Sequence, residues 1–220
     1  MVEAGLQFQK ESATGVSRRA LMLGLVLVPL LCLAVESGEL VARVGELVGS
    51  SLMLIVTCLL CLFLGANYLV SNWKPRWRLS RAELLYLFVM LTAAGNIAGV
   101  GMMQFVVPML GHIFHYATPA NRWEQFQQYV PTWLVPDQAV LPGYYEGQSS
   151  FFMVAHVMGW LRPAVTWSLF MFSFVAFTLT LSLVLRRQWV EKERLSFPIV
   201  YFPLELTREG TSLWRDRLLW

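Results

Sequence analysis

One uncharged apolar stretch contains the residues with the clearest potential for chemistry: Gly95, Asn96, Gly99, Gly101 and Gln104. The four-residue spacing of Gly95 and Gly99 lets two membrane helices approach closely. The favoured interpretation is such a helix contact, with Asn96 hydrogen-bonded across it. The alternative is a discontinuous helix whose free backbone groups line a substrate path, as transporters use near the middle of the membrane. These five residues are therefore candidate pathway residues.

A second group of candidates follows a basic turn near the C-terminus. Ser196, Phe197 and Pro198 open an apolar segment that two prolines interrupt and that ends at Glu205. The segment is too short to span a bilayer, so we expect a re-entrant or interfacial element. A carboxylate inside a membrane indicates a functional site, which makes Glu205 a pathway candidate. The alternative is an ordinary interfacial glutamate paired with Arg208.

Histidines and cysteines offer only weak candidates for metal or redox chemistry. His112 and His115 lie three residues apart, and His156 is a conceivable third ligand, but no carboxylate follows at matching spacing. Cys58 and Cys61 lie in an apolar stretch where a thiolate is costly, so we interpret them as small apolar residues at a helix contact. Hydrolase, metalloprotease and nucleotide-binding motifs are absent from the sequence. We therefore expect neither an enzyme nor a metal or other cofactor.

These candidates lie in or beside apolar segments whose length matches a bilayer. Hydrophobic residues make up 56% of the 220 residues and charged residues 14%, whereas soluble domains have about 25% charged residues. A hydrocarbon core needs about 20 mostly apolar helical residues. We predict an all-α, polytopic transmembrane helical bundle with about four spans. The predicted spans are residues 20–35, 48–70, 84–110 and 164–185.

The first predicted span also has the basic flank and short apolar run of a signal sequence. The residues after it form only a fair cleavage site, which favours a retained helix. Apolar residues at helical spacing further predict that the second span begins as an amphipathic helix near Leu40.

Positive charges predict the orientation of the spans. Fourteen of the seventeen Lys and Arg residues precede span one, link spans two and three, or follow span four, and only Arg43, Arg122 and Arg162 lie on the other side. Because cytoplasmic loops are enriched in Lys and Arg, we expect a cytoplasmic N-terminus and a multi-pass protein of the inner (plasma) membrane. The formal charge of +3 gives no reason to expect nucleic acid as a partner. The expected partners are the lipid bilayer, a small peptide-like solute, and further copies or a larger membrane complex.

The segments outside the spans complete the predicted organisation. Residues 1–19 form a cytoplasmic tail, residues 20–185 the transmembrane region, and residues 186–220 a cytoplasmic basic segment with the re-entrant or interfacial element. The external loop at residues 111–163 is rich in proline and aromatic residues. Its favoured interpretation is a cap that steadies the helices, and the alternative is a cap over a cavity. The last residues, 213–220, are interpreted as the start of a truncated fifth span, and the alternative is a short interfacial helix.

Three short stretches carry a resemblance: Leu79-Ser80-Arg81-Ala82-Glu83-Leu84, Pro108-Met109-Leu110-Gly111-His112, and Glu193-Arg194-Leu195-Ser196-Phe197-Pro198. From about Ala20 onward the chain resembles a bacterial family of polytopic membrane proteins of unknown function, whose members are longer. The third stretch, with Glu205, is more distantly similar to a loop of the oligopeptide transporter superfamily. This chain departs from that loop at two places. Ser196 stands where those transporters often have proline, and the residues after Pro198 are apolar, whereas the transporters have a glycine-containing sequence.

Together with the glycine-rich span, this distant resemblance favours a secondary transporter, or part of one, for a peptide-like or metal-chelate solute. The rival hypothesis is a non-transporting accessory or scaffold subunit of a membrane complex. Its motivation is the aromatic external loop and the absence of charged residues deep in the four predicted spans.

Overall fold

The structure, a computed structural model, describes residues 17–45, 47–49, 53–99, 102–193 and 197–208. Every regular element within these ranges is helical, so the predicted all-α class is confirmed for them. Two compact units contain them: the first comprises the described parts of Met1–Gln104 and Phe197–Trp220, the second those of Phe105–Ser196. Four helical segments are long and apolar enough to cross a membrane: Arg18–Val41, Leu54–Ser71, Arg81–His115 and Val154–Val190.

The first unit is built on three long helices and one short one. Helix α1 starts after Ser17, whose hydroxyl accepts a hydrogen bond from the backbone N–H of Ala20, and it continues into a π-helical turn at Ser37–Val41. A capping box of Ser80 and Glu83 starts the third long helix. The helices are α1 (Arg18–Glu36), α2 (Leu54–Trp73), α3 (Arg81–Ala98) and α8 (Pro198–Leu206).

Apolar side chains hold the first unit together in two clusters. Helix α1 packs along α3, and Val35 and Leu87 are fully buried between their neighbours. One cluster joins these helices to the start of α2 and comprises Leu31, Val35, Val48, Met53, Val56 and Leu91. The second joins α2, α3 and α8 through Leu60, Leu84 and Leu206. Most other apolar side chains on α1 and α2 are half-buried or exposed.

The second unit carries the rest of the chain that the structure describes. A 3-10 turn at Gln138–Val140 precedes α6, and a π-helical turn at Arg187–Lys192 follows α7. No residue in the most apolar stretch of α7 is buried. The helices are α4 (Met103–His115, whose first two residues belong to the first unit), α5 (Glu124–Gln127), α6 (Leu141–Tyr145) and α7 (Val154–Arg186).

Three helix boundaries differ from those of the predicted spans. Helix α2 begins at Leu54, not at residue 48 or near Leu40, because Met53 has a positive φ of 40° that an α-helix does not allow. The third predicted span, 84–110, covers parts of two helices, α3 and α4. Helix α7 contains the fourth predicted span, 164–185, and begins ten residues before it, at Val154. The predicted loop at 111–163 therefore contains helical residues at both of its ends.

Candidate functional site

The third apolar segment is interrupted at its glycines. Helix α3 ends at Ala98, and Gly99 leaves the helix with φ −82° and ψ −153°. Its N–H still donates to the carbonyl of Gly95 at 3.0 Å, and its own carbonyl accepts from the N–H of Met102 at 3.1 Å. Gly101, another candidate, lies outside the described residues. The helix is thus interrupted here, as the alternative interpretation of this segment requires.

Gly95 and Gly99 provide space for a neighbouring segment. A methyl group at Gly99 would overlap Cγ2 of Val48, and one at Gly95 would lie 3.2 Å from Cγ1 of the same side chain. Val48 belongs to the connection between α1 and α2 and is only 5% exposed. The favoured interpretation predicted a close approach of two helices. Leu31 and Val35 of α1 do lie beside the glycines, and the non-helical segment at Val48 approaches them more closely still.

A carboxylate and an amide meet beside the interruption. Gln104 donates from Nε2 to Oε2 of Glu39 at 2.7 Å. The other oxygen of Glu39 accepts from the backbone N–H groups of Leu47 and Val48, the latter at 3.1 Å. Glu39 therefore joins the connection after α1 to the start of α4. This glutamate was not among the sequence candidates, because nothing in its local sequence distinguishes it from the nearby glutamates.

Asn96 does not form the predicted bond across a helix contact. Its side chain is exposed on α3, and the hydrogen bonds found among the described residues do not include it. Gly95 and Gln104 are therefore the sequence candidates that join Gly99 in contacts around the interruption.

The C-terminal candidates lie at the other end of α3. Arg81 donates from its guanidinium to the carbonyl of Leu204 at 3.0 Å and so attaches α8 to the start of α3. Glu205 is 43% exposed and forms an ion pair with Arg208 at 3.6 Å, which is the pairing that the interfacial alternative expects. Since α3 has 18 residues, about 27 Å along its axis separates its two ends. The structure does not bring Glu205 together with Gly99 and Gln104.

Two other C-terminal candidates lie at the start of α8. Phe197 is an exposed residue immediately before α8, and Pro198 is its first helical residue, where a missing N–H costs nothing. Ser196 lies outside the described residues.

A buried glutamate that was not among the sequence candidates fixes the starts of α1 and α3. Glu83 is 5% exposed. It accepts hydrogen bonds from the backbone N–H of Ser80 at 2.7 Å and from the hydroxyl of Ser17. The charge of Arg19 also acts on this carboxylate. The Ser80-x-x-Glu83 spacing is a capping-box signature, so local sequence carried the signal.

His112 and His115 lie in an aromatic cluster in the second unit, whereas the ring of His156 lies beside Ser149 and Ser150. The ring of His115 stacks on Tyr145 with centroids 4.5 Å apart, and His112 lies 5.3 Å from Trp123. Burial raises the pKa of Tyr145, and its hydroxyl donates to the carbonyl of Pro108. No group of three side chains suited to metal binding occurs in the part of the chain that the structure describes.

Comparison with known proteins identifies a family. The chain matches the sequence model of the group described as "Family of unknown function (DUF6785)" over residues 10–220. No curated protein and no solved structure matches it. The predicted resemblance to a family of unknown function is confirmed, whereas the comparisons give no support for similarity to oligopeptide transporters or for a bacterial origin. The chain belongs to the DUF6785 family of unknown function.

Proposed function

We propose that the four long apolar segments cross a membrane. Their lengths match a bilayer, and large apolar side chains cover their surfaces, with examples at Leu33, Leu62 and Phe172. A soluble protein rarely exposes contiguous apolar surface on this scale. The distribution of Lys and Arg supports a cytoplasmic N-terminus and an external segment between α4 and α7. The plasma membrane, in a bacterium the inner membrane, is the proposed location.

We further propose that the protein is a secondary transporter, or part of one, for a peptide-like or metal-chelate solute. The observation that carries this proposal is the interruption between α3 and α4, with Glu39 and Gln104 beside it. Transporters use interrupted helices to present free backbone groups to a solute. A carboxylate is also costly in an apolar environment, so one that is placed beside a membrane span indicates a functional site.

The length of α3 supports a position for this interruption near the outer face of the membrane. If Arg81 lies at the cytoplasmic face, the 18 residues of α3 extend about 27 Å, close to the full hydrocarbon thickness of about 30 Å. The interruption then lies near the outer face, at the external mouth of a path, and not at the middle of the membrane. Glu205, near the start of α3, is proposed for the cytoplasmic end.

An accessory or scaffold subunit is the second candidate. It is supported by α7, whose most apolar stretch has no buried residue. In a membrane complex, a partner protein would cover the apolar surface of this helix. Lipid alone would also cover it. Transport assays separate these two functions because an accessory subunit has no uptake of its own.

Uptake into proteoliposomes tests the transport proposal. We expect the wild type to accumulate radiolabelled trialanine or a radiolabelled iron–citrate chelate. Glu39→Gln and Glu205→Gln should each lower uptake by about ten-fold or more, because each removes a carboxylate proposed to contact the solute, and a hydrogen bond to a charged group is worth about 1.5–3 kcal/mol.

Matched variants serve as controls for this assay. Glu36→Gln, at the end of α1 and three residues before Glu39, and Arg208→Gln, which breaks the ion pair of Glu205, should retain uptake. Equal losses in Glu205→Gln and Arg208→Gln would assign Glu205 to a structural pair instead. A wild-type protein that is folded but accumulates neither solute would contradict the transport function.

A further inference from the structure

A cavity of about 910 Å³ lies within the second unit. One wall is a single face of α7, formed by residues at helical spacing in its first turns. The opposite wall is the segment from Val135 to Val140, and side chains from the end of α4 and from the residues around α5 complete the lining. The α7 residues are Ala155, Met158, Gly159 and Arg162, and the completing residues are Phe114, Gln127, Gln128, Val130 and Thr132.

Specific contacts hold the two walls together. The backbone N–H of Asp137 donates to the carbonyl of Gly159 at 3.2 Å. A methyl group at Gly159 would lie 2.8 Å from Val140, so glycine is required for this approach. Further along α7, Trp167 donates from Nε1 to the carbonyl of Leu134 at 3.0 Å. These contacts define the shape of the cavity.

The cavity has one acidic and one basic residue in its lining. Asp137 and Arg162 both line it, and both are exposed. Asp137 accepts the N–H of Ala139 through Oδ1 at 3.0 Å, which uses one of its two carboxylate oxygens. Among the described residues no ion pair of 4.0 Å or less joins Asp137 to Arg162. The two charged side chains therefore line one cavity without forming a direct ion pair. The amides of Gln127, Gln128 and Gln138 add neutral hydrogen-bond donors and acceptors to the lining.

We propose that this cavity binds a zwitterionic solute, with its ammonium group at Asp137 and its carboxylate at Arg162. A guanidinium suits a carboxylate because it offers paired N–H donors. Ligand cavities have volumes of about 300–1,000 Å³, so this one is large enough for a short peptide. The inference rests on the proposed function in one respect: the bound zwitterion is the solute that the membrane segments would carry.

The position of the cavity along α7 agrees with the proposed membrane topology. The apolar stretch of α7 assigned to the membrane is residues 164–185, and the lining residues of α7 precede it. The cavity therefore lies on the external side, where it would collect solute before transport.

Calorimetric titration of the full-length protein in lipid nanodiscs tests the inference with three probes. Trialanine carries both charges, N-acetyl-trialanine lacks the ammonium, and trialanine amide lacks the carboxylate. We expect the wild type to bind trialanine and to bind each blocked probe about ten-fold or more weakly, since each loses one charge-assisted contact. Equal affinity for all three probes, or no binding of trialanine, would overturn the inference.

Variants assign each charge to its residue. Asp137→Asn retains the Oδ1 acceptor for Ala139 and should lose affinity for trialanine but not for N-acetyl-trialanine. Arg162→Gln should lose affinity for trialanine but not for trialanine amide. Glu146→Gln and Arg122→Gln remove charges of the same unit outside the cavity and should leave binding unchanged.

Parallel uptake measurements separate this inference from the proposed function. If Asp137→Asn and Arg162→Gln take up trialanine as fast as the wild type does, the inference is overturned and the transport proposal still stands. Trialanine binding with the expected probe order but without uptake would support the cavity and contradict the transporter.

Discussion

Replacing Glu83 with alanine should lower the free energy of unfolding by about 2–3 kcal/mol. The change removes the capping box of α3, worth about 0.5–2 kcal/mol, and leaves the partly buried hydroxyl of Ser17 without its acceptor. Since Ser17 also caps α1, the starts of two long helices lose a shared support. The measurement is thermal unfolding of the purified protein in one detergent, followed by tryptophan fluorescence.

Two variants control for the general effect of losing an acidic side chain. Glu146→Ala removes an exposed glutamate and should change stability by less than about 0.5 kcal/mol. Glu83→Gln keeps an acceptor oxygen but loses the charge near Arg19, so it should lie between alanine and the wild type. If Glu83→Ala unfolds at the temperature of Glu146→Ala, Glu83 does not support the two helix starts.

Replacing Gly99 with alanine should destabilise the first unit by about 1–3 kcal/mol, because the added methyl group overlaps the side chain of Val48. The backbone angles of Gly99 lie at negative φ, so the expected effect comes from crowding and not from left-handed strain. The same change should lower uptake, because it moves the connection that Glu39 and Gln104 hold beside the interruption. Thermal unfolding and proteoliposome uptake are the two measurements.

A control and a rescue isolate the crowding. A methyl group at Gly65 on α2 would meet nothing within 4 Å, so Gly65→Ala should be neutral or stabilising by up to about 1 kcal/mol. Adding Val48→Ala to Gly99→Ala should recover part of the lost stability, because the truncated side chain makes room for the methyl group. Equal stability of Gly99→Ala and Gly65→Ala would show that the contact with Val48 is not tight.

Local sequence predicted the elements that depend on composition. The four long apolar helices follow from uncharged stretches of sufficient length, which need no knowledge of the tertiary fold. The interruption at Gly99 was one of two alternatives because closely spaced glycines suit both a tight contact and a broken helix. The capping box at Ser80 and Glu83 has a local sequence signature although it was not among the predictions, and the burial of Glu83 depends on the tertiary fold.

Long-range contacts determined what the sequence could not predict. The partners Glu39 and Gln104 are 65 residues apart, and no local pattern connects them. Residues 48–53 carry no charge and so extend the predicted span before Leu54, but Val48 packs against Gly99 instead of continuing a helix. The early start of α7 was missed because Gly159 and Pro163 resemble loop residues, although Gly159 is needed where Val140 approaches the helix. The cavity lies between α7 and the segment from Val135 to Val140, so it too depends on the close approach of Val140 to Gly159.

Membrane topology is the most direct test of the account, and single-cysteine labelling in sealed, right-side-out vesicles measures it. In a background without Cys32, Cys58 and Cys61, cysteine is placed at exposed positions on each proposed side and reacted with a membrane-impermeant maleimide. We predict that Glu146→Cys is labelled in intact vesicles, whereas Arg76→Cys and Lys192→Cys are labelled only after the membrane is opened. Labelling of all three positions in intact vesicles, or labelling of Arg76→Cys and Lys192→Cys alone, would contradict the proposed spans and their orientation.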